Sequence, residues 1–331
     1  MASGAKTQLT KLIDLRHSAG ELSLFSRSKA LSALVGSVKT NFRGRGLDFE
    51  EIRQYQAGDD IRSIDWRVTA RTGVAHTKLY QEERERPVLV AVDQRSSMAF
   101  GSQCCFKSVQ AAEVASLISW AALAKNDRVG GLIFNDSLHH DVRPARSKSA
   151  VLKIISAIDS FNKGNSVDSH GRSSSSTNKV SQNSQQINDV IIELRRIAKP
   201  GSAIFIVSDF IGLDDEGIKQ LHLLKKHCDI HAIFISDPME RQLPASGGNQ
   251  FTDGINRSRF DISDKKLLNG FAQRFDSRLT ALTQQLSANG IPTIAISTND
   301  DAIQIMRRHY HENDRSKARG RSAARASSAS L

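Results

Sequence analysis

The stretch Val88-Leu89-Val90-Ala91-Val92-Asp93-Gln94-Arg95-Ser96-Ser97-Met98 decides how this chain is read. Its first five residues are an unbroken apolar run, three of them valine, which suits a strand buried on both faces. The run leads directly into a polar loop that opens with the carboxylate of Asp93 and carries hydroxyls at Ser96 and Ser97. Open α/β sheets place their ligands beyond the carboxyl ends of the strands, so this loop marks the face on which function is expected.

Working outward, the flanking sequence alternates helix and strand. Phe106–Lys125 predicts a long helix, apolar around much of its circumference, and Arg128–Phe134 a second strand. Leu138–Val142 reads as a short edge strand returning beside it, and Lys148–Phe161 as a helix. Further on come the helix Ile187–Ala198, the strand Ala203–Val207, the helix Glu216–His227 and the strand Ile230–Ile235. Met239–Phe260 is irregular enough to hold a hairpin; then follow the helix Lys265–Ala288, the strand Pro292–Ser297 and a closing helix from Asp300. Strands separated by helices need crossover connections, so the expected fold is α/β, a doubly wound, mainly parallel sheet of Rossmann-like type. Its strand ends bring Asp93, the Asn135–Asp136 turn, Asp209 and Asp237 to one face, although such residues also favour turns and helix caps for local reasons.

Upstream of this pattern, residues 8–38 hold two amphipathic helical stretches, LTKLIDLRHSA and SKALSALVGSV. From Phe42 to Arg86 the chain is arginine-dense with β-like alternation. The expected organisation is N-terminal helices over 1–40, a β-rich subdomain over 41–87, the α/β domain over 88–310, and a basic tail over 311–331. A Ser/Asn-rich insert at about 163–186 has almost nothing to bury and reads as disordered, as does the Ser/Ala/Arg-rich tail.

At 331 residues the chain can bury a full core, and 39% hydrophobic with 24% charged residues is ordinary for a soluble protein. No stretch reaches the roughly 18 apolar residues of a membrane span, and the first twenty residues lack a secretory signal. Three cysteines suggest no disulfide framework, so a cytoplasmic location is expected. Much of the net charge of +11 sits near the C-terminus, at Arg307, Arg308, Arg315, Lys317, Arg319, Arg321 and Arg325. That tail offers a nucleic-acid or acidic-surface contact as the alternative function.

Several chemistries lack their residues. There is no Walker loop, no complete dinucleotide fingerprint, no Cys-x-x-Cys, no His-Glu-x-x-His and no Gly-x-Ser-x-Gly. What remains is Asp93, Ser97 and Asp209, an oxygen set suited to a hard divalent ion such as magnesium. Such a loop commonly reads Asp-x-Ser-x-Ser, and here Arg95 stands at the middle serine. Two arrangements are open. Arg95 can satisfy both carboxylates through bidentate hydrogen bonds, or it can swing outward and leave magnesium to Asp93, Ser97 or Ser96, and Asp209. In either case Arg95, Ser96, Asp136 and Asp237 are expected to form an interaction face, with no catalytic residue and no resident cofactor beyond that possible magnesium.

From about Asn41 to Asp301 the chain resembles the family called domain of unknown function 58, whose core is similar to a von Willebrand factor A domain. The residues that carry the resemblance run from Arg53-Gln54-Tyr55-Gln56-Ala57-Gly58-Asp59-Asp60-Ile61-Arg62-Ser63-Ile64-Asp65-Trp66 to Thr69-Ala70-Arg71. Lys78-Leu79-Tyr80, Glu82-Glu83-Arg84 and the later Asp237-Pro238-Met239-Glu240 with Leu243-Pro244 continue it. The resemblance implies a metal-ion-dependent adhesion site in which Arg95 replaces a ligating serine, with Ser147 and Ser149 the hydroxyls nearest the family's threonine position. It also implies a partner, a MoxR-type AAA+ ATPase, and a non-enzymatic adaptor role in assembling or activating an unknown client complex. Within the signature, Arg62, Arg67 and Arg71 interleave with Asp59, Asp60 and Asp65, a charge pattern that either locks the subdomain around Trp66 or presents a docking face.

Overall fold

The computed structural model describes residues 2–20, 22, 24, 47–56, 59–82, 87–164, 187–242, 249–252, 257–260 and 265–310. The predicted helix SKALSALVGSV, most of the Ser/Asn-rich insert and the basic tail lie outside the described residues. The chain forms two units, Met1–Ser26 with Arg86–Leu331, and Arg27–Glu85.

The first unit opens with two short helices, α1 (Leu9–Asp14) and α2 (Arg16–Ala19). The second unit contains β1 (Leu47–Gln54), α3 (Trp66–Thr72) and β2 (His76–Glu82). The first unit then resumes with β3 (Pro87–Asp93), α4 (Lys107–Ala124), β4 (Arg128–Phe134), β5 (His139–Ala145) and α5 (Lys148–Gly164). After these come α6 (Ile187–Ile197), β6 (Ala203–Ser208), α7 (Asp215–Lys225), β7 (Asp229–Ser236) and α8 (Pro238–Arg241). The hairpin β8 (Asn249–Thr252) and β9 (Arg257–Phe260), α9 (Lys265–Ala288) and β10 (Thr293–Ser297) complete it, with a last helix over residues 302–310.

One six-stranded sheet runs in the order β10-β7-β6-β3-β4-β5. Every neighbouring pair is parallel except β4–β5, so the antiparallel strand lies at an edge. Among its own six strands the chain order is 3-2-1-4-5-6, the doubly wound order with its switch point between the first and fourth strands. This is the doubly wound, mainly parallel sheet that the strand–helix alternation led one to expect. The side-chain period of two in β3 divides the core. Val88, Val90 and Val92 pack with α4, α5 and the N-terminal helices, while Leu89 and Ala91 pack with α6, α7 and α9. β5 carries Pro144, tolerated because the strand is an edge, and Gly130 of β4 leaves no room for a side chain, since a Cβ there would lie 2.6 Å from the Val142 carbonyl oxygen.

The first helices belong to the sheet unit rather than to a separate N-terminal segment, because α4 is apolar on nearly every side and needs a cover. Leu12 and Ala19 are buried against it, the Trp120 indole donates to the Leu12 carbonyl at 3.1 Å, and Lys11 meets Glu113 at 2.8 Å. Among the described residues no helix is long and apolar enough to cross a membrane.

Within the second unit, β1 and β2 pair antiparallel from Leu47↔Glu82 to Gln54↔His76, with a bulge between Phe49 and Glu51. A tight turn over Ile61–Ser63 leads into α3, which ends at Gly73 with φ +75°, the left-handed cap that glycine allows.

Candidate functional site

β3 and β6 are neighbours at the switch point of the sheet, so the residues just beyond them meet in its crevice. Asp93, the last residue of β3, is fully buried, and its carboxylate is enclosed by hydrogen bonds. Arg95 donates to it through Nε at 3.1 Å to each oxygen and through Nη2 at 2.8 Å to Oδ2. The Arg95 backbone N–H adds a bond to Oδ1 at 2.9 Å, and the Ser208 hydroxyl donates to Oδ2 at 2.6 Å. The guanidinium is 7% exposed, sits 5.9 Å above the Phe134 ring, and sends Nη1 to the Ile211 carbonyl at 3.0 Å.

Asp209, directly after β6, is shared between two cations. Arg95 Nη2 is 3.5 Å from its Oδ1, and Lys107 Nζ donates to its Oδ2 at 2.9 Å. Lys107, the first residue of α4, is only 1% exposed and also pairs with Glu240 at 2.6 Å. Phe210 then turns the chain with φ +52°, an uncommon backbone for an aromatic residue. That turn lets the Ile211 N–H donate to Asp209 Oδ1 at 3.0 Å while its carbonyl faces Arg95. From α9, Arg278 donates to the Asp209 carbonyl at 2.7 Å.

A second layer lies beyond β7. Asp237 caps α8, accepting from Met239 N–H at 2.9 Å, while the Glu240 carboxylate accepts from the Asp237 N–H at 3.0 Å, a reciprocal capping box. The same Asp237 carboxylate accepts from the Ser102 N–H and hydroxyl and from the Thr298 hydroxyl. Lys107–Glu240 and this cap therefore join the loops after β3, β6, β7 and β10.

The electrostatics follow from burial set against these partners. Burial pushes the Asp93 carboxyl above its ordinary value, with Arg95 and Ser208 pulling the other way. For Asp209 burial again opposes ionisation, but Lys107, the Ile211 N–H and Arg95 together hold it below the ordinary value. Burial would lower Lys107, and Asp209 and Glu240 outweigh it, so the ammonium is kept. Asp237 is likewise held low against its burial by the Ser102 and Thr298 donors.

This geometry does not fit magnesium at Asp93, Ser97 and Asp209. An octahedral ion needs several free oxygens at about 2.1 Å. Both Asp93 oxygens are taken by Arg95 and Ser208, and both Asp209 oxygens face Lys107, Arg95 or a backbone N–H. The Ser97 hydroxyl is buried without a hydrogen-bond partner, and Ser147 supports the start of α5 by accepting from the Ala150 N–H at 3.2 Å. Among the described residues no group of three or more histidine, cysteine or acidic side chains is arranged to hold a metal.

Two members of the expected interaction face are not on a surface. Arg95 and Asp237 are both buried, because each completes the bonding of a neighbouring loop. Ser96 is exposed and donates its N–H to Asp136, which is half-buried, at 2.7 Å. Sequence reading missed Lys107 and Ser208. The only signal for Lys107 was a charge at the first position of a largely apolar helix, and Ser208 was hidden in a strand end.

In the second unit the acidic signature residues are committed locally. Asp59 pairs with Arg53 at 2.7 Å and accepts from the Gln56 N–H. Asp60 accepts from the Arg62 N–H, and Asp65 caps α3 through the Arg67 and Val68 N–H groups and meets Lys78 at 3.2 Å. Tyr55 donates its N–H to the Ala75 carbonyl at 2.8 Å, and Ser63 bonds Thr77. Trp66 is 68% exposed, so the arginine–carboxylate cluster does not close around it as the locking arrangement required. Gly58, Glu83 and Arg84 lie outside the described residues; Pro238 and Glu240 are the ones described above in α8.

Fold and site together define a doubly wound α/β protein whose strand-end site is filled by its own cations. Residues 51–278 match the family described as protein of unknown function DUF58, and the chain belongs to that family. It is similar to the uncharacterized proteins Mb1516 of Mycobacterium bovis and Rv1480 of Mycobacterium tuberculosis. Each is 28% identical over 287 residues, covering 85% of this chain and 84% of the relative. Among solved structures, the conserved hypothetical protein BatB from Bacteroides thetaiotaomicron is similar at 15% identity and TM-score 0.39, over 69% of this chain and 98% of that one.

Three outcomes are expected. Lys107→Met strands the Asp209 carboxylate in the interior and costs about 3–5 kcal/mol, read from urea unfolding; a loss under about 1 kcal/mol would show that the pair does not hold the site. Because Asp209 and Asp237 are held low, their contribution is complete above their unfolded values and is lost as pH falls below about 4. Asp237→Asn should therefore flatten the drop in stability between about pH 4 and 2, measured by thermal melts, and an unchanged slope would contradict this assignment. Magnesium titrated into the protein should give no saturable heat; saturable binding abolished by Asp93→Asn would overturn the fit argued here.

Proposed function

We propose that this DUF58 protein is a non-enzymatic, cytoplasmic interaction adaptor that works with a MoxR-type AAA+ ATPase on the assembly or activation of a client complex. Its contact surface is the carboxyl-end face of the sheet. The observation that carries the reading is a charge network neutralised from within, lying beneath apolar loop tips. Phe100 after β3, Leu138 between β4 and β5, and Ile211 after β6 are 37%, 64% and 38% exposed on three loops of the same sheet edge. Exposed apolar side chains beside the half-buried Asp136 and the exposed Ser96 suit protein contact.

Catalysis finds less support. Lys107, Asp93 and Asp209 are bound to one another or to Arg95, which leaves none of them poised as a nucleophile or base. The buried Cys105 thiol is pushed up to about 12, chiefly by its burial, and is inert as a thiolate. The ATPase partner is drawn from the family resemblance, and the exposed apolar loop tips support protein contact at this face.

The test is a pull-down of a purified MoxR-type ATPase by the full chain. Leu138→Asp combined with Ile211→Asp should weaken capture by about tenfold or more, the scale of lost interface anchors. Undiminished capture by that variant would remove the strand-end face as the interface, and no capture by the unaltered chain would remove the partner.

A further inference from the structure

We propose that the second unit carries its own docking surface, formed by Ile61, Arg62, Trp66, Arg67 and Arg71, for an acidic, leucine- or aromatic-bearing segment of a partner protein. The inference rests on residues of that unit alone and is independent of the strand-end reading.

Sequence places three arginines and three aspartates around one tryptophan, a pattern that could neutralise itself. In three dimensions the two signs part. Each aspartate is turned inward on the backbone: Asp59 to Gln56, Asp60 to Arg62, Asp65 to the first turn of α3. Among the described residues, Arg53 pairs with Asp59 and Lys78 with Asp65. Arg62, Arg67 and Arg71 stay exposed, and none forms an ion pair with a described residue. Arg67 and Arg71 are four apart on α3, a like-charge spacing that mildly destabilises a helix and that an opposite charge would relieve.

Apolar surface lies on the same short segment. Trp66 is 68% and Ile61 63% exposed, with Val74 at 43% just past the helix. An exposed tryptophan flanked by unneutralised arginines has the composition of an interface hot spot, and the guanidinium fork matches carboxylates in bidentate geometry. Charge complementarity thus names an acidic partner, and the aliphatic Ile61 and Val74 favour a peptide over a nucleic acid, whose bases would stack on Trp66 but gain little from them.

The chain has two tryptophans, and Trp120 is buried, so the environment of Trp66 can be followed by emission. Into the full-length protein one titrates a short synthetic peptide of alternating glutamate and leucine, its glutamine-for-glutamate counterpart, and a single-stranded oligonucleotide. The expected result is a saturable blue shift with the acidic peptide, weakening as salt rises, and little response to the neutral one. By anisotropy of labelled peptide, Arg67→Glu with Arg71→Glu should weaken binding at least about tenfold, Trp66→Ala about tenfold, and Trp66→Phe only slightly. Far-UV circular dichroism checks that each variant is folded, and Trp66→Phe tests the ring while keeping its bulk. No binding of the acidic peptide, equal binding of the neutral one, or tighter binding of the oligonucleotide would each overturn the proposal.

Discussion

A carboxylate at the end of a strand buried on both faces has lost its water, and something in the same crevice has to replace it. Here the replacement is a guanidinium and an ammonium supplied by the chain. Arg95 closes on Asp93 and reaches Asp209, and Lys107 joins Asp209 to Glu240. Since Glu240 also closes the capping box on Asp237, and Asp237 holds Ser102 and Thr298, one chain of charged hydrogen bonds runs across four loops. A divalent ion in the same crevice would make the face depend on free ion concentration, because binding energy enters stability through mass action. Cations fixed by covalent linkage make the charge state constitutive, so the face is formed whenever the protein is folded.

Much of the fold could be read before any coordinates, and for simple reasons. β3 and β6 announce themselves as short unbroken apolar runs, and the edge strand β5 betrays its place by the exposed polar residues of His139–Asp141. For Arg95 the sequence left two arrangements open, and the structure has the inward one, with the guanidinium on Asp93. Lys107 was not legible. A lysine opening a helix ordinarily sends its ammonium to water, and only the meeting of α4 with β6 and α8 turns it inward. Asp237 failed in the opposite sense: its position after a strand suggested a face, while Pro238 and Glu240 behind it spelled a helix cap. The amphipathic pattern of the first helices told that they cover something, and it took α4, buried on nearly all sides, to say what.

The left-handed backbone at Phe210 belongs to the same account. Residues held in such conformations cost about 1–3 kcal/mol and persist where their surroundings over-determine them. The Phe210 side chain is buried, its N–H donates to the Ser208 hydroxyl at 2.9 Å, and that hydroxyl in turn donates to Asp93. The turn presents opposite ends of the Ile211 peptide groups to opposite charges, N–H to Asp209 and carbonyl to Arg95. Strain at one residue is offset by satisfying two buried ions, and Ile211 is left with its side chain at the surface.

The two units apply one rule with opposite results. At the ends of β3 and β6, burial makes Asp93 and Asp209 each find a cation, so their charge is consumed within the crevice. In the second unit the aspartates find backbone N–H groups at turns and at a helix start, which satisfies them without drawing in Arg62, Arg67 or Arg71. Nearness in sequence between opposite charges therefore does not decide pairing. What decides it is whether a carboxylate sits where a helix or turn leaves N–H groups unsatisfied, because such a site fills its oxygens first. Charge that is balanced in the sequence can then be unbalanced at the surface, and a protein with acidic caps and exposed arginines carries positive surface that its composition in that region conceals.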